Sequence, residues 1–576
     1  MSVAVSARRR NARTPRKTNT AIPAAAPPEP DSVRLSPLGA CSVPFLLSLG
    51  LAGFGLVPFV RHEPRLLWSV AGAAVVLLVW TMVLFASAIA QRRSFTVEIS
   101  LRKQHYLQAC AQGAVFVYWG WYWPQVYESA PLLAAQLVFA YAVEMLLVWS
   151  RRNTYTLGFG LLPVVFSINL FLWFKPDWFY LQFLMVAAGI AGKELIRWDR
   201  DGRRVHIFNP SAFTLALFSV GLLVTGTSSI TWGENVAVTQ FYPPHMYLML
   251  FLVGLPGQIL FGVSPMTMAA AVTTYLFGLL YFAQTGIYFF YDSYIPIAFF
   301  LGMILLFTDP STSPRTELGR LMFGALYGLS AVVLYDLLWR AGLPTFYDKL
   351  LQVPLLNLSV QWIDRVARGK VLRRFDPALV GRSLAPHQRN VAYVAVWAIV
   401  FAVMSAQQGV GDLHPGQWLP FWQRACADGR PGACEFLLNR QSTHCDSGSG
   451  WACNEAGILR LGLLTSDENR VGREVAQTVG PLDTSALAGM SRIVKQLAVR
   501  RAVASLDRGC QLAFEPACQN LRRVTAGSGR PESARPTISD YPIVLRGSKQ
   551  SVTERTPSAL YALACQEGWP DACAPR

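Results

Sequence analysis

The chain has 576 residues, a mass of 63.7 kDa and a formal net charge of +17, with 51 Lys and Arg against 34 Asp and Glu. Hydrophobic residues make up 52% of it and charged residues only 15%, whereas a soluble globular protein carries about 25% charged residues. This composition excludes a disordered protein and argues against an ordinary soluble enzyme. It indicates an integral membrane protein.

The first segment, residues 1–40, is polar and basic and contains an Ala/Pro-rich stretch from Ala21 to Pro30. Such a composition cannot bury a core, so we predict a disordered basic tail. No compact apolar run with a small-residue cleavage site follows directly, which argues against a secretory signal.

Residues 41–407 form a series of apolar runs that predict a transmembrane domain, because a membrane-spanning helix needs roughly 20 apolar residues. The run at 346–363 contains Lys349, Gln352, Asn357 and Gln361, so a re-entrant or interfacial helix is the alternative there. The thirteen predicted spans lie near 43–60, 66–90, 107–123, 131–150, 155–173, 178–192, 211–227, 245–262, 266–283, 294–308, 321–339, 346–363 and 390–407.

The distribution of basic residues predicts the topology. With a cytoplasmic N-terminus, the segments assigned to the cytoplasm hold 27 Lys and Arg, and those assigned outside before residue 408 hold 5. This bias follows the positive-inside rule and places residues 408–576 outside. We therefore expect a multi-pass protein of the bacterial inner membrane, in contact with the lipid bilayer. The net charge then reflects topology, and we expect no nucleic-acid partner.

Eight of the ten cysteines follow residue 425 and fall into four C-x7-C pairs. Cysteines eight positions apart on a straight helix would be about 12 Å apart, too far for a disulfide. The spacing therefore predicts a helix, a turn and a second helix. Zinc pairs normally have two to four intervening residues, which disfavours the metal-binding alternative. The pairs are Cys426/Cys434, Cys445/Cys453, Cys510/Cys518 and Cys565/Cys573.

Disulfides require an oxidising compartment, which agrees with the outside placement of residues 408–576. The fold class predicted is all-α: a polytopic transmembrane helix bundle of about 13 spans with an extracytoplasmic disulfide-braced α-helical domain. The segments ACADGRPGAC, GCQLAFEPAC and ACQEGWPDAC resemble the cysteine-rich version of the SEL-type, tetratricopeptide-like repeats. The resemblance implies a protein-docking domain, although the pairs start 19, 65 and 55 residues apart instead of at a regular period.

Four polar segments interrupt the apolar runs: F-N-P at 208–210, S-P-M-T at 264–267, T-D-P-S-T-S-P at 308–314, and a polar helix that ends in I-D at 363–364. Each has a structural explanation, such as helix capping by Asn209. In this order they resemble the membrane flavoprotein family found in the sodium-pumping NADH:quinone oxidoreductase and in the Rnf electron-transport complex. The resemblance covers roughly residues 140–375.

This resemblance implies a bundle with internal repeats that binds FMN or riboflavin. The residues expected at the cofactor or ion path are Asn209, Pro210, Thr267, Thr308 and Asp309. The family attaches FMN to the Thr of an S-G-A-T motif, which this sequence lacks; the nearest candidates are Thr267 and the segment 225–231. A looser flavin site, or none, remains open.

Two functions follow as hypotheses. The first is a subunit of a flavin-linked, ion-translocating electron-transport complex, with other subunits and an external docking domain. The alternative is a structural or assembly subunit, or a transporter, that keeps the fold without flavin. No catalytic or metal-binding residue is predicted, since none of the seven histidines lies in a C-x-x-C-H or H-E-x-x-H motif.

Overall fold

The computed structural model describes residues 32–200, 202–290, 292–379, 383–412, 414–465, 499–527, 530–545 and 556–573. Most of the predicted tail, 1–31, lies outside this part of the chain. Its last residues form strand β1 (Ser32–Leu35) and the first turn of helix α1, where the Ser36 side chain accepts a hydrogen bond from the Gly39 amide. The tail boundary at residue 40 is therefore too late.

Every predicted span contains a helix. Asn209 and Thr316 cap two of these helices with their side chains, and Pro occupies the first turn of several others, as expected at helix N-termini. The helices up to residue 406 are α1 (Pro37–Gly53), α2 (Pro58–His62), α3 (Pro64–Ala90), α4 (Lys103–Tyr122), α5 (Gln125–Glu128), α6 (Ala130–Arg151), α7 (Leu161–Asn169), α8 (Tyr180–Leu195), α9 (Pro210–Thr225), α10 (Gly233–Thr239), α11 (Met246–Phe261), α12 (Ser264–Thr285), α13 (Ile297–Leu305), α14 (Glu317–Arg340), α15 (Asp348–Ala367) and α16 (Pro386–Ala406).

Six helical segments within the described residues are long and apolar enough to cross a membrane, which supports a membrane protein and leaves the thirteen spans as a prediction. α9 and α11 are shorter apolar helices. The six segments are Pro37–Leu56, Pro64–Ala90, Ala130–Arg151, Ser264–Thr285, Glu317–Arg340 and Pro386–Ala406.

Two predicted spans, 155–173 and 294–308, are not continuous helices. They contain α7 and α13, which have nine residues each. Nine residues reach about 14 Å at 1.5 Å per residue, roughly half of a hydrocarbon core of about 30 Å. The chain beyond each short helix is non-helical up to residue 175 or residue 316. These two half-helices are the main departure from the prediction.

The half-helices occupy the same place in two units of similar order, α4–α9 and α11–α15. In each unit the first long helix contacts the half-helix, and the last long helix packs on the one before it. The units meet through contacts of α4 with α11 and of α9 with α15. The break after α7 reads Lys175-Pro176-Asp177 and that after α13 reads Asp309-Pro310-Ser311. The two units therefore share the same order of long helices and half-helices.

Five short strands modify the all-α prediction. β1, β2 (Phe95–Ile99) and β3 (Thr154–Leu157) form one sheet, with β1 antiparallel and β3 parallel to β2. β4 (Arg197–Arg200) and β5 (Arg203–His206) form a hairpin just before α9. These strands lie at the ends of helices, and Phe95 of β2 and Tyr155 of β3 are buried in the hydrophobic core, where both rings contact Trp149 of α6.

The C-terminal region is a disulfide-braced helical domain, as predicted. In each of the four C-x7-C pairs the two sulfurs are bonded and the Cα atoms are 4.6 or 4.7 Å apart. Gly429, Gly448 and Gly568 have positive φ at three of the turns. In the Cys510 pair, where the sequence offers only Pro516 as a breaker, Ala513 takes the left-handed conformation at φ 60°.

The second cysteine of a pair does not always lie within an α-helix, which corrects the prediction of two helices per pair. Cys434 lies in the first turn of an α-helix, as predicted, but Cys573 directly follows the 3-10 helix Pro570–Ala572. In both pairs the turn is tight enough to bring the second sulfur over the last carbonyls of the first helix. Cys434 Sγ is 3.6 Å from the carbonyl oxygen of Cys426, and Cys573 Sγ is 3.7 Å from that of Cys565.

This domain contains α17 (Leu419–Ala427), α18 (Ala433–Asp446), α19 (Gly450–Thr465), α20 (499–511), α21 (Glu515–Ala526), α22 (Tyr541–Val544) and α23 (Pro557–Gln566). It contacts the C-terminal ends of two long helices of the bundle. Arg430 donates to the carbonyl of Thr285 at 3.4 Å, and the rings of Trp339 and Phe436 are 5.1 Å apart.

Candidate functional site

A cavity of about 440 Å³ opens at one end of the first unit, α4–α9. We call it the charged cavity, because its walls carry four Lys or Arg, three carboxylates and two His. It is formed by the N-terminal ends of α4, α7 and α9, the C-terminal ends of α6 and α8, and the loop after α13. Its charged and imidazole side chains are Arg102, His105, Glu144, Arg152, Lys193, Glu194, Arg197, His206 and Asp309.

The charged cavity lies at the opposite end of the bundle from the disulfide-braced domain. The loop after α13 lies at the N-terminal end of α14, and the disulfide-braced domain contacts Trp339 near its C-terminal end. The basic loops and the cysteine pairs are therefore separated by the length of the bundle.

Asn209 and Pro210 line the charged cavity, and the polar groups of Asn209 bond within the protein. Its Oδ1 accepts from the amides of Ser211 and Ala212, both at 3.1 Å, which caps α9. Its Nδ2 donates to the carbonyl of Leu306 at 2.9 Å, and its backbone amide donates to Asn357 Oδ1 at 3.1 Å. Asn209 thus fixes the loop after α13 against α9 and α15.

Asp309 is the centre of a hydrogen-bonded cluster in the cavity wall. The hydroxyl of Ser311 lies 2.6 and 2.7 Å from its two carboxylate oxygens, and His206 Nε2 is 3.6 Å from Oδ2. Burial acts to raise the pKa of Asp309, but hydrogen bonding and charge from His206, with hydrogen bonds from Ser311, lower it to about 2. Asp309 therefore stays anionic.

Thr267 and Thr308, the other two expected site residues, do not line the cavity. Thr267 is fully buried in the first turns of α12 and lies 3.2 Å from the carbonyl of Met303. Thr308 donates to the carbonyl of Ile304 at 2.9 Å. The structure brings together Asn209, Pro210 and Asp309, and leaves the two threonines as backbone-bonded packing residues.

A row of ion pairs crosses the cavity wall between α6 and α8. Lys193 Nζ is 2.8 Å from Glu144 Oε1, and Glu194 pairs with Arg152 at 3.1 Å and Arg197 at 2.5 Å. Sequence reasoning used these bases only for topology and missed them as site residues. Their sequence signal is the K-E dipeptide at the end of an apolar helix, with another Arg four residues after the Lys.

His105 and Arg102 also line the charged cavity. Burial lowers the pKa of His105, and the charges of Lys193 and Arg102 lower it further, so the ring is neutral near pH 7. Its Nδ1 is buried and has no hydrogen-bond partner among the described residues. Arg102 makes no ion pair in that same part of the chain. The guanidinium of Arg102 and the Nδ1 atom of His105 are therefore available to a ligand.

The Asp309 loop is held by a buried ion pair. Arg200 Nη2 lies 3.0 Å from Asp364 Oδ2 and donates to the carbonyl of Ser313 at 2.8 Å. Asp364 also accepts from the backbone amides of Arg315 and Thr316. A buried pair of this kind fixes geometry at a desolvation cost, so Arg200 and Asp364 position the loop.

A second cavity of about 260 Å³ lies at the other end of the same unit. We call it the aromatic cavity, since Phe, Tyr and Trp side chains form much of its wall. Its floor is polar: Gln136, Asn169 and Gln182 bond to one another at 2.8 to 3.3 Å. Its aromatic lining residues are Phe59, Phe116, Tyr127, Trp173, Phe174, Phe179 and Trp232.

The half-helix α7 contributes lining residues to both cavities. Ser167 lines the charged cavity and Asn169 lines the aromatic one, two residues further along α7. Between them Gln112 Nε2 donates to Ser167 Oγ at 2.7 Å, and Gln112 Oε1 has no partner in the described ranges. Five buried uncharged polar side chains from four helices thus meet in the middle of an apolar bundle. We call Gln112, Gln136, Ser167, Asn169 and Gln182 the amide layer.

No cluster of three or more His, Cys, Asp or Glu that could hold a metal ion occurs among the residues that the structure describes. Comparisons with family models, curated proteins and solved structures gave no match for this chain.

Proposed function

We propose that this protein is an integral membrane subunit of an electron-transport complex, with a flavin nucleotide bound non-covalently in the charged cavity. The observation that carries the proposal is the convergence of two distant segments. F-N-P at 208–210 and the T-D-P segment at 308–310 carry the resemblance, and both reach the same cavity. That cavity also holds the basic groups that an anionic ligand needs.

The residues present fit such a group. A volume of about 440 Å³ falls in the range of small-molecule sites, roughly 300–1,000 Å³. Arg152 and Arg197 offer planar guanidinium groups that suit a phosphate, and Glu194 between them keeps both oriented. Pro163, Val164 and Phe261 provide apolar wall for a ring system. A flavin would supply one- and two-electron transfer at this place.

The chain's own residues bind and orient in this proposal. Arg102, Arg152 and Arg197 attract the phosphate, and Asp309 supplies a fixed hydrogen-bond acceptor because it stays ionised. His206 and Ser311 hold Asp309 in place. The cavity lies on the cytoplasmic side of a bacterial inner membrane, and the disulfide-braced domain docks a partner subunit outside. Charge bias and the end-to-end separation of bases and disulfides support this orientation.

The test is a titration of the purified full-length protein, stripped of endogenous ligand, with FMN and with riboflavin, followed by quenching of flavin fluorescence. We expect FMN to bind at least about tenfold more tightly, because one charge-assisted phosphate contact is worth about 1.5–3 kcal/mol. Arg152→Gln with Arg197→Gln should remove this preference, whereas Arg61→Gln at the other end should keep it. Equal affinities for the two flavins, or no quenching, would contradict the proposal.

A second candidate function, transport of a small uncharged polar solute, is favoured by the amide layer. Polar groups within a membrane are costly and often mark a pathway, and half-helices that end near the midplane are typical of transporters. The two cavities approach each other within one helical turn at α7. Because the layer is uncharged and offers amide and hydroxyl groups, it suits a neutral hydrogen-bonding solute.

Liposome swelling discriminates between the two functions. Full-length protein reconstituted in liposomes should accelerate the entry of formamide or glycerol over empty liposomes if the amide layer conducts. Gln136→Leu and Asn169→Leu should abolish the acceleration, and Gln91→Leu on the exposed surface should not. Flavin binding without accelerated entry supports the electron-transport proposal, and accelerated entry without flavin supports transport.

A further inference from the structure

The disulfide-braced domain holds an extended piece of its own chain, residues 530–537, against α19 and α21. This segment has no helix or strand. The side chains of Glu532 and Arg535 are 76% and 74% exposed. These two side chains are thus mostly exposed, whereas the main chain beside them is bound by the domain.

Two residues of the segment have both main-chain polar groups bound by side chains of the domain. Asn520 Nδ2 donates to the carbonyl of Glu532 at 2.8 Å, and the amide of Glu532 donates to Asn520 Oδ1 at 2.9 Å. Trp451 Nε1 donates to the carbonyl of Ala534 at 2.7 Å, and the amide of Ala534 donates to Glu455 Oε1 at 3.0 Å. The domain thus binds the N–H and the C=O of alternate residues of an extended chain.

The gripping side chains are pre-organised. Asn520, Glu455 and Trp451 are at most 8% exposed. Asn454 links the first two, since its Oδ1 accepts from Asn520 at 2.9 Å and its Nδ2 donates to Glu455 at 3.1 Å. The disulfide Cys445–Cys453 fixes the start of α19, and Cys510–Cys518 fixes the start of α21. The two helices that carry the binding side chains are therefore braced by bonds outside the segment.

We propose that Asn520, Glu455 and Trp451 form a receptor for extended peptides, that residues 530–537 occupy it as an internal ligand, and that a partner segment of similar chemistry displaces them. Recognition of alternate main-chain N–H and C=O groups is the physics of peptide addition to a sheet edge, and it tolerates varied outward side chains. This inference is independent of the function proposed for the membrane region.

The chemistry of the internal ligand defines the partner. Pro531 and Pro536 flank the gripped residues, and Pro favours the extended backbone that the receptor reads. Ser533 donates to Glu455 Oε2 at 2.6 Å, and Ala534 packs partly buried against the core. The partner segment is therefore an extended, Pro-flanked stretch with a hydroxyl residue followed by a small residue. Arg535 is mostly exposed and its ion pair with Asp571, at 3.5 Å, is also exposed, so position 535 contributes little to recognition.

The first test uses full-length protein in detergent in which residues 530–537 are replaced by alternating Gly and Ser. A fluorescein-labelled peptide of the sequence RPESARPT should bind this variant in a saturable manner and bind the unaltered protein at least tenfold more weakly, as measured by anisotropy. Adding Asn520→Ala to the replaced variant should remove binding. A peptide methylated on the amide of its Ala should not bind, and one with its second Arg changed to Ala should bind normally.

Hydrogen exchange on the unaltered protein keeps the proposal testable if the replaced variant does not fold. Peptide RPESARPT is added at several millimolar, because a tethered segment has an effective concentration of about a millimolar. The amides of the chain's own 530–537 should then exchange faster, while those of α21 stay unchanged. The proposal would be overturned by unchanged hydrogen exchange at 530–537, or by a folded replaced variant that does not bind the peptide. It would also be overturned by a dimer in which two copies swap this segment.

Discussion

Asn209 donates its side-chain amide to the carbonyl of Leu306 at 2.9 Å, which joins two segments 97 residues apart. The bond places the N-terminal end of α9 beside the unwound chain after α13. The side-chain oxygen of the same residue caps α9, so one side chain fixes both the cavity wall and the end of the helix. The wall of the charged cavity therefore contains residues from both units.

Replacement of Asp309 should loosen the cavity wall. Asp309→Asn removes the charge that His206 and Ser311 satisfy, and hydrogen bonds to charged groups are worth about 1.5–3 kcal/mol. We expect the variant to lose about 2 kcal/mol of stability and to unfold at lower temperature in detergent. Asp336→Asn is the matched control, since its partner Arg340 is mostly exposed and the pair contributes about 0–1 kcal/mol. Equal melting temperatures for both variants would contradict the role given to Asp309.

Acidification should destabilise the junction between the bundle and the disulfide-braced domain. The ring of His414 packs edge-to-face against Tyr288, with 4.0 Å between ring centroids, and burial followed by the charge of Arg440 lowers the pKa of His414 to about 3. The unfolded chain binds a proton at this residue near pH 6.5 and the folded one does not. Its contribution to stability is therefore complete above pH 6.5 and declines as the pH falls from there towards 3.

We expect the melting temperature of full-length protein to fall between about pH 7.5 and pH 5, the range in which the unfolded histidine gains its proton. His414→Phe should flatten this dependence, and His62→Phe, a change at an exposed histidine, should leave it intact. An unchanged slope in His414→Phe would exclude His414 as its source.

The turns between bridged helices should respond to substitution in opposite directions. Gly429 has φ 69° and no atom within 4 Å of the place a Cβ would take, so Gly429→Ala should cost about 1–2 kcal/mol from backbone strain alone. Ala513 carries that strain at φ 60°, so Ala513→Gly should stabilise by up to about 1 kcal/mol. Gly411→Ala, at an open position without positive φ, should change little. Denaturant titration of the full-length variants measures all three.

The eight C-terminal cysteines should be blocked in protein isolated without reductant. Cys41 and Cys110 are the two free thiols in the structure. Denatured protein treated with polyethylene-glycol maleimide should therefore gain two additions, and ten after reduction. More than two additions before reduction would show that the domain does not mature in an oxidising compartment.

The topology makes a separate prediction about access to the charged cavity. In a background with Cys41→Ser and Cys110→Ser, Arg102→Cys should react with a membrane-impermeant maleimide only in inside-out vesicles. Arg61→Cys, at the other end of the bundle, should react only in right-side-out vesicles. The same sidedness for both substitutions would overturn the assignment of the cavity to the cytoplasm.

The sequence predicts the long helices and the disulfide hairpins because both depend on local signals. A run such as 66–90 has few ways to bury its apolar side chains other than as a helix, and C-x7-C spacing requires a turn. The half-helices could not be predicted from the sequence. The runs 155–173 and 294–308 are apolar throughout, and an apolar run does not show where a helix inside it ends. Packing of the other helices around them decides between the two.

The candidate site is predicted in part for a similar reason. Asn209 and Asp309 stand out as polar groups at the ends of apolar runs, so the sequence marks them directly. The pairing of Lys193 with Glu144 depends on how α8 packs on α6, 49 residues away, and leaves no local pattern. Thr267 stands out in the sequence because of its Pro-containing turn, yet its hydroxyl donates a hydrogen bond to the carbonyl of Met303.

The flavin content of the purified full-length protein tests the central claim most directly. The protein is denatured in acid, and the released small molecules are separated by chromatography with fluorescence detection. We expect FMN in the supernatant at about one per chain, free of the precipitated protein because the chain has no S-G-A-T attachment motif. A preparation that retains its fold and its four disulfides but yields neither FMN nor riboflavin would contradict the account.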